Sequence, residues 1–113
     1  MISAADKSLV DEFGRVSSRA EQMIARVNSC LNATARVAPQ FSMLGFLNSQ
    51  REIRTRLAEA MPAAERLSTL SASEHEEQRS RDALVVRKVT LAIQPEVVRL
   101  AEMLEALLQQ SSR

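Results

Sequence analysis

The chain has one histidine, His75, and one cysteine, Cys30, and these are its most chemically versatile side chains. A protein metal site brings several His, Cys or carboxylate ligands together. The chain contains neither a Glu-x-x-His nor a His-Glu-x-x-His spacing, and His75 stands among glutamates in "SEHEEQ", a pattern typical of a solvated helix start. The sequence therefore predicts no metal ligand and no cofactor.

Nucleophilic catalysis requires a general base beside the nucleophile. Cys30 falls on an apolar helical stripe, which is typical of a small buried side chain. Neighbouring carboxylates such as Asp11 and Glu12 diverge on a helix. Gly14 and Gly45 are isolated, whereas a phosphate-binding loop needs several glycines. We therefore predict no catalytic residue and a protein that is not an enzyme.

The composition indicates an all-α protein. The 113 residues include no Trp or Tyr, three Phe, two Gly and three Pro. Aliphatic residues and Ala must then form the core, and few tight turns are available for strands. This length predicts a single helical-bundle domain over residues 1–113.

Charge and cysteine content limit the cellular setting. Fifteen basic and fourteen acidic residues give a net charge of +1, so no global field attracts nucleic acid or anionic lipid. A single cysteine is compatible with a reducing compartment. The opening "MISAADKSLVDEF" lacks the apolar region of a signal peptide, and no apolar run is long enough to span a membrane. These features predict a cytoplasmic protein without membrane insertion.

Apolar residues recur at alternating steps of four and three, the heptad spacing of packed helices. In the first segment they are Leu9, Phe13, Val16, Ala20, Met23, Val27 and Cys30. In the second they are Phe46, Ile53, Leu57, Ala60, Ala64 and Leu67, with Gln50 as a polar interruption. The third carries Leu84, Val85, Val89, Ala92, Ile93, Val97, Leu100, Ala101, Leu104, Leu107 and Leu108. The pattern predicts an elongated antiparallel bundle of three long helices.

Capping signals and prolines suggest the helix boundaries. Ser3 and Asp6 resemble a capping box, so the first helix should run from Ser3 or Ala4 to about Val37, before Pro39. The second helix begins either just after Pro39, passing through Gly45, or at a capping box formed by residues 49–52. A polar turn near residues 70–74 precedes the third helix. Prolines at positions 62 and 95 would either kink the helices or end them.

Ten apolar residues are the candidate partner-binding set. The last helix concentrates bulky side chains on a stripe broader than one core requires. The segment "QFSMLGFLNSQ" places further bulk where the first helix meets the second. Each group is open to two interpretations, either core filling within the bundle or an exposed docking surface. The predicted residues are Phe41, Met43, Leu44, Phe46, Val97, Leu100, Met103, Leu104, Leu107 and Leu108.

We therefore expect a non-catalytic helical interaction module, such as an adaptor, a small chaperone or a subunit of a larger assembly. Its partner would be another protein or a second copy of the chain. The alternative is a nucleic-acid-associated helical protein. That function would use the basic clusters Arg51, Arg54, Arg79, Arg81, Arg87 and Lys88, although no aromatic side chain is interleaved to stack on bases.

Overall fold

The computed structural model describes residues 3–33, 41–69 and 76–111. Three helices occupy these ranges: α1 (Ala4–Ala33), α2 (Met43–Thr69) and α3 (Glu76–Ser111). The described residues contain no strand, which confirms the all-α prediction. The molecule measures 58 × 20 × 18 Å.

Two ion pairs between helices show the direction of each helix. Asp6, near the start of α1, contacts Arg79, near the start of α3. Arg66, near the end of α2, contacts Asp82 in α3. Therefore α1 and α3 run in the same direction and α2 runs against both, as the antiparallel prediction requires.

Serine side chains cap the first two helices. The Ser3 hydroxyl accepts a hydrogen bond of 3.1 Å from the Asp6 amide, which confirms the predicted helix start. The Ser42 hydroxyl likewise accepts a hydrogen bond of 2.9 Å from the Gly45 amide, so α2 begins at Met43 and passes through Gly45. The alternative start at Ser49 is wrong, because that residue lies inside the helix. The expected end of the first helix near Val37, the Pro39 stop and the second turn fall outside the described residues.

Neither of the two prolines within described helices ends its helix. Pro62 lies inside α2 and Pro95 inside α3. Both are exposed. Because each ring lies on the outer face, water can hydrate the carbonyl that loses its hydrogen bond. Each proline therefore lies within one continuous helix, and the described residues form three helices.

A single apolar cluster runs between the three helices. The heptad positions of α1 and α2 supply their predicted side chains to it, fully or in part. In α3 two assignments were wrong: Leu84 and Leu108 are exposed, and Val86 takes an inward position that was not predicted. Thr90 is also buried, and its hydroxyl donates a 2.7 Å hydrogen bond to the Val86 carbonyl. The buried apolar residues are Phe13, Ala20, Ile24, Val27, Phe46, Ile53, Leu57, Ala60, Ala63, Ala64, Leu67, Val86, Val89, Ile93, Val97, Leu100, Leu104 and Leu107.

Candidate protein-interaction surface

Most of the predicted partner-binding residues lie toward one end of the bundle, where α1 ends, α2 begins and α3 ends. We call this the apolar end and define it by Phe41, Phe46, Met103 and Leu107. The rings of Phe41 and Phe46 approach with centroids 6.4 Å apart and planes tilted by 49°, an arrangement that aromatic pairs favour. Phe46 is fully buried, whereas Phe41 is half-buried.

The cap at Ser42 determines which side chains of α2 face outward. Its carbonyl accepts a 3.0 Å hydrogen bond from the Phe46 amide, and so fixes the first turn. Phe46 then points into the core, while Met43, Leu44 and Leu47 face solvent with exposed fractions of 46%, 70% and 48%. Residues three and four apart adjoin on a helix surface. These three side chains therefore form a continuous exposed surface, which we call the α2 patch.

Gly45 permits close packing beside this patch. A Cβ at Gly45 would lie 3.0 Å from the Ser42 hydroxyl oxygen and 3.8 Å from Met103 Cε. The absence of a side chain thus lets the serine cap and a methionine of α3 approach the same turn.

The ten predicted residues separate into three groups by burial. Five are core residues, two are half-buried (Phe41 and Met103), and three are exposed (Met43, Leu44 and Leu108). The broad stripe of α3 packs on both α1 and α2, which is why it needs its width. Of the two interpretations, core filling therefore applies to five of the ten residues, because the bundle itself buries Phe46 of α2 and Val97, Leu100, Leu104 and Leu107 of α3.

Two open grooves flank α3 at the apolar end. One, of about 330 Å³, is lined by residues of α3 and by the segment preceding α2, including Phe41, Met103 and Leu107. The other, of about 510 Å³, lies between α1 and α3 and includes Cys30, Leu104 and Leu108. Both are shallow surface features, which suit a packed side chain better than an enclosed small molecule.

Sequence reasoning missed an exposed apolar row along α3. Leu84, Leu91 and Val98 are 65%, 58% and 57% exposed, and we call them the outer seam. Their seven-residue spacing was a visible signal. Val86, Ile93, Leu100 and Leu107 have the same spacing two residues further on, so periodicity alone did not separate the two rows.

The opposite end of the bundle is held by charge, and we define this polar end by Asp6, Arg66, Arg79 and Asp82. Arg66 donates two hydrogen bonds to Asp82, from Nε to Oδ2 at 2.9 Å and from Nη2 to Oδ1 at 2.8 Å. Gln78 adds a third at 3.1 Å. The hydrogen bonds from Arg66 are the main reason that the pKa of Asp82 lies below its ordinary value.

The basic residues of the nucleic-acid alternative do not form one surface. The Arg79 guanidinium lies 3.5 Å from an Asp6 carboxylate oxygen and is half-buried. Arg81 donates to Gln78, and Arg54 adjoins Gln50, whose amide oxygen would accept its hydrogen bond. Arg51, Arg87 and Lys88 are exposed and form no ion pair with a described residue, but they are divided between two helices.

Within the described ranges, no group of three or more His, Cys, Asp or Glu side chains is placed to hold a metal ion. His75 falls outside those ranges. None of the described helices is long and apolar enough to cross a membrane.

Comparison of the chain with protein-family models, curated proteins and solved structures finds no match. Function must therefore be argued from the surfaces themselves.

Proposed function

We propose that the protein is a non-catalytic helical interaction module that binds another polypeptide through the α2 patch. The observation that carries this proposal is the exposure of Met43, Leu44 and Leu47 within two helical turns. Single exposed apolar side chains are ordinary, whereas contiguous ones mark contact surfaces. The core beneath is already filled by Phe46 and its neighbours, so the patch is not required to complete the bundle.

Charge beside the patch indicates the chemistry of the partner. Leu47 shares a shallow groove with Gln50, Arg51, Arg54 and Thr55. Arg51 is exposed and has no ion pair among the described residues. We therefore infer a partner helix whose apolar stripe is bordered by carboxylates. Methionine in the patch allows the contact to adapt to the partner's shape.

We propose that this activity belongs to a reducing intracellular compartment, with which the single cysteine of the chain is compatible. Adaptor, chaperone and assembly subunit are all compatible with a surface of this kind. The arginine clusters give the nucleic-acid alternative less support, because several of their guanidinium groups are engaged within the bundle.

Site-specific photocrosslinking tests the proposal. A photoreactive amino acid replaces Leu44 in the full chain, expressed in the cells that naturally make it, and the adducts are identified by mass spectrometry. The matched control carries the same amino acid at Ala58, which is exposed further along α2. We expect a discrete protein adduct at position 44 that Arg51→Glu abolishes. Equal labelling at both positions, or an adduct insensitive to Arg51→Glu, would contradict the proposal.

A further inference from the structure

The outer seam is a second apolar row on α3, directed away from the core. A helix turns about 100° per residue, so residues seven apart lie nearly in line, with a drift of about 20° per heptad. Leu84, Leu91 and Val98 thus form one row about 21 Å long. The buried row of Val86, Ile93 and Leu100 lies on roughly the opposite side of the same helix. Neither α1 nor α2 covers the outer seam, as its exposure shows.

From Leu84 to the end of α3, the unpaired charges bordering the outer seam differ in sign between its two halves. Arg87 and Lys88 border the first half, and Glu102 and Glu105 border the second. These four are exposed, and none forms an ion pair with a described residue. Arg99 lies on the same flank as Lys88 but is paired with Glu96, and Glu77 lies seven residues before Leu84.

The charges are also arranged by flank. At 100° per residue, Lys88 and Glu102 fall on one flank of the seam, and Arg87 and Glu105 fall on the other. Each flank therefore has a cation near its start and a carboxylate toward its end. A helix of the same sequence running the opposite way would place each carboxylate beside a cation.

We propose that a second copy of the chain binds on this face, with its α3 antiparallel to the first. A twofold axis between Gln94 and Pro95 sets Leu91 against Val98 of the second copy, and the reverse. A twofold axis perpendicular to both helices keeps each flank on its own side. Lys88 then meets Glu102 of the second copy, and Arg87 meets Glu105, each pair occurring twice.

Arg19 of α1 lies in a groove beside Gln94 and Val98, close to the proposed axis. Its mate in the second copy therefore lies on the same flank, and this like-charge pair opposes the contact. A parallel arrangement, with the twofold axis along the helices, would exchange the flanks and instead set Lys88 against Arg87 and Glu102 against Glu105. The charge pattern therefore selects the antiparallel pair.

The contact is small, because its apolar centre consists of Leu91 and Val98 of each copy; Leu84 lies opposite Glu105 of the second copy in this register. Small interfaces are typical of weak association. We expect a dissociation constant on the order of tens to hundreds of micromolar, with affinity falling as salt rises because exposed charges contribute.

Sedimentation equilibrium of the full chain, at protein concentrations from about 1 µM to 1 mM, tests this inference. We expect reversible dimerisation. Lys88→Glu alone and Glu102→Lys alone should each weaken it about tenfold or more, because each sets like charges together. The double variant should restore dimerisation, and an equimolar mixture of the two single variants should associate more strongly than either alone.

Leu91→Glu provides the apolar arm of the test, and it should yield monomer across the same range. Helix content by circular dichroism shows that each variant is folded. Monomeric wild-type protein at 1 mM would overturn the inference. A dimer whose dissociation constant is unchanged by both the charge reversals and Leu91→Glu would overturn it as well. The inference shares with the proposed function the idea of an apolar contact surface, but it uses a different helix face. Failure here therefore leaves crosslinking at Leu44 unaffected, and failure at Leu44 leaves the dimer unaffected.

Discussion

Arg66 and Asp82 join α2 to α3 by a two-point ion pair with both contacts below 3 Å. The two partners differ in environment: the Asp82 side chain is 3% exposed and the Arg66 side chain 48%. The buried carboxylate therefore depends on the guanidinium for its solvation, whereas Arg66 can turn to water if the pair is broken.

Asp82→Ala should lower the free energy of unfolding at pH 7 by about 1–2 kcal/mol, because it removes charge-assisted hydrogen bonds between two helices. Urea denaturation followed by circular dichroism measures this loss; the chain has no Trp or Tyr for fluorescence. Glu52→Gln is the control. Its pair with Arg56 is exposed, so a change below about 0.5 kcal/mol is expected.

The same pair should make stability depend on pH. The pKa of Asp82 is lowered in the folded chain, so the unfolded chain takes up the proton first as pH falls. The contribution of Asp82 is complete above the ordinary aspartate pKa of about 3.9, and it is lost as pH falls through the lower folded value. The difference in unfolding free energy between wild type and Asp82→Asn should therefore become smaller from pH 6 to pH 2. Urea denaturation of both proteins at pH values about one unit apart measures this difference. A difference independent of pH would contradict this assignment.

Leucine truncation should separate core from surface within the predicted partner-binding set. Leu100 is fully buried, so Leu100→Ala should cost about 2–5 kcal/mol of unfolding free energy. Leu44 is 70% exposed, and Leu44→Ala should change stability by less than about 0.5 kcal/mol. For both variants, the change in unfolding free energy is calculated from the urea midpoint, provided that the dependence of that free energy on urea concentration is unchanged. Comparable losses at the two positions would show that the α2 patch is packed rather than open.

Removing the Ser49 hydroxyl should stabilise the bundle. Ser49 is buried between Phe46 and Ile53 on the inner face of α2, and its oxygen has no hydrogen-bond partner among the described residues. Ser49→Ala should raise the free energy of unfolding by about 1 kcal/mol, since a buried hydroxyl without a partner is costly. Ser18→Ala, at an exposed site in α1, measures the helix-propensity gain alone, and it should be smaller. A destabilised Ser49→Ala variant would refute the prediction.

The two glycines should respond differently to alanine. At Gly14, an exposed position in α1, a Cβ would meet no neighbouring atom within 4 Å. Gly14→Ala should therefore stabilise the protein by up to about 1 kcal/mol. At Gly45 a Cβ would lie 3.0 Å from the Ser42 oxygen, so crowding of the helix cap should offset the propensity gain. Thermal unfolding of both variants compares them, and an equal rise in Tm would argue against crowding at Gly45.

Heptad spacing predicted most of the inward faces of α1 and α2, although it missed Ser49 and Ala63, which are also buried. There, large and small apolar residues alternate at steps of three and four, and no second row competes with them. In α3 two rows share the seven-residue spacing, so Leu84 was assigned inward and Val86 was missed. A further signal distinguished them. Further apolar residues, such as Val89 and Val97, lie between members of the inner row. The outer row is instead flanked by Gln94, Pro95 and several charged residues.

The site could be predicted less well than the fold. A wide apolar stripe has the same sequence pattern whether it packs on two neighbouring helices or on one neighbour and a partner. Packing decides between the two, and it placed Leu104 in the core and Leu44 outside. The start of α2 was equally ambiguous, since both Ser42 and Ser49 are good capping residues. The cap at Ser42 left Ser49 buried one turn further along.

The two ends of the bundle are held by different forces, and cold should act on them unequally. The interhelix ion pairs of the described residues lie at the polar end, whereas Phe41, Phe46, Met103 and Leu107 hold the apolar end. Apolar burial loses strength as water is cooled. Chilling should therefore loosen the helices first beside the α2 patch, and the surface proposed to bind a partner would be the first part of the bundle to open.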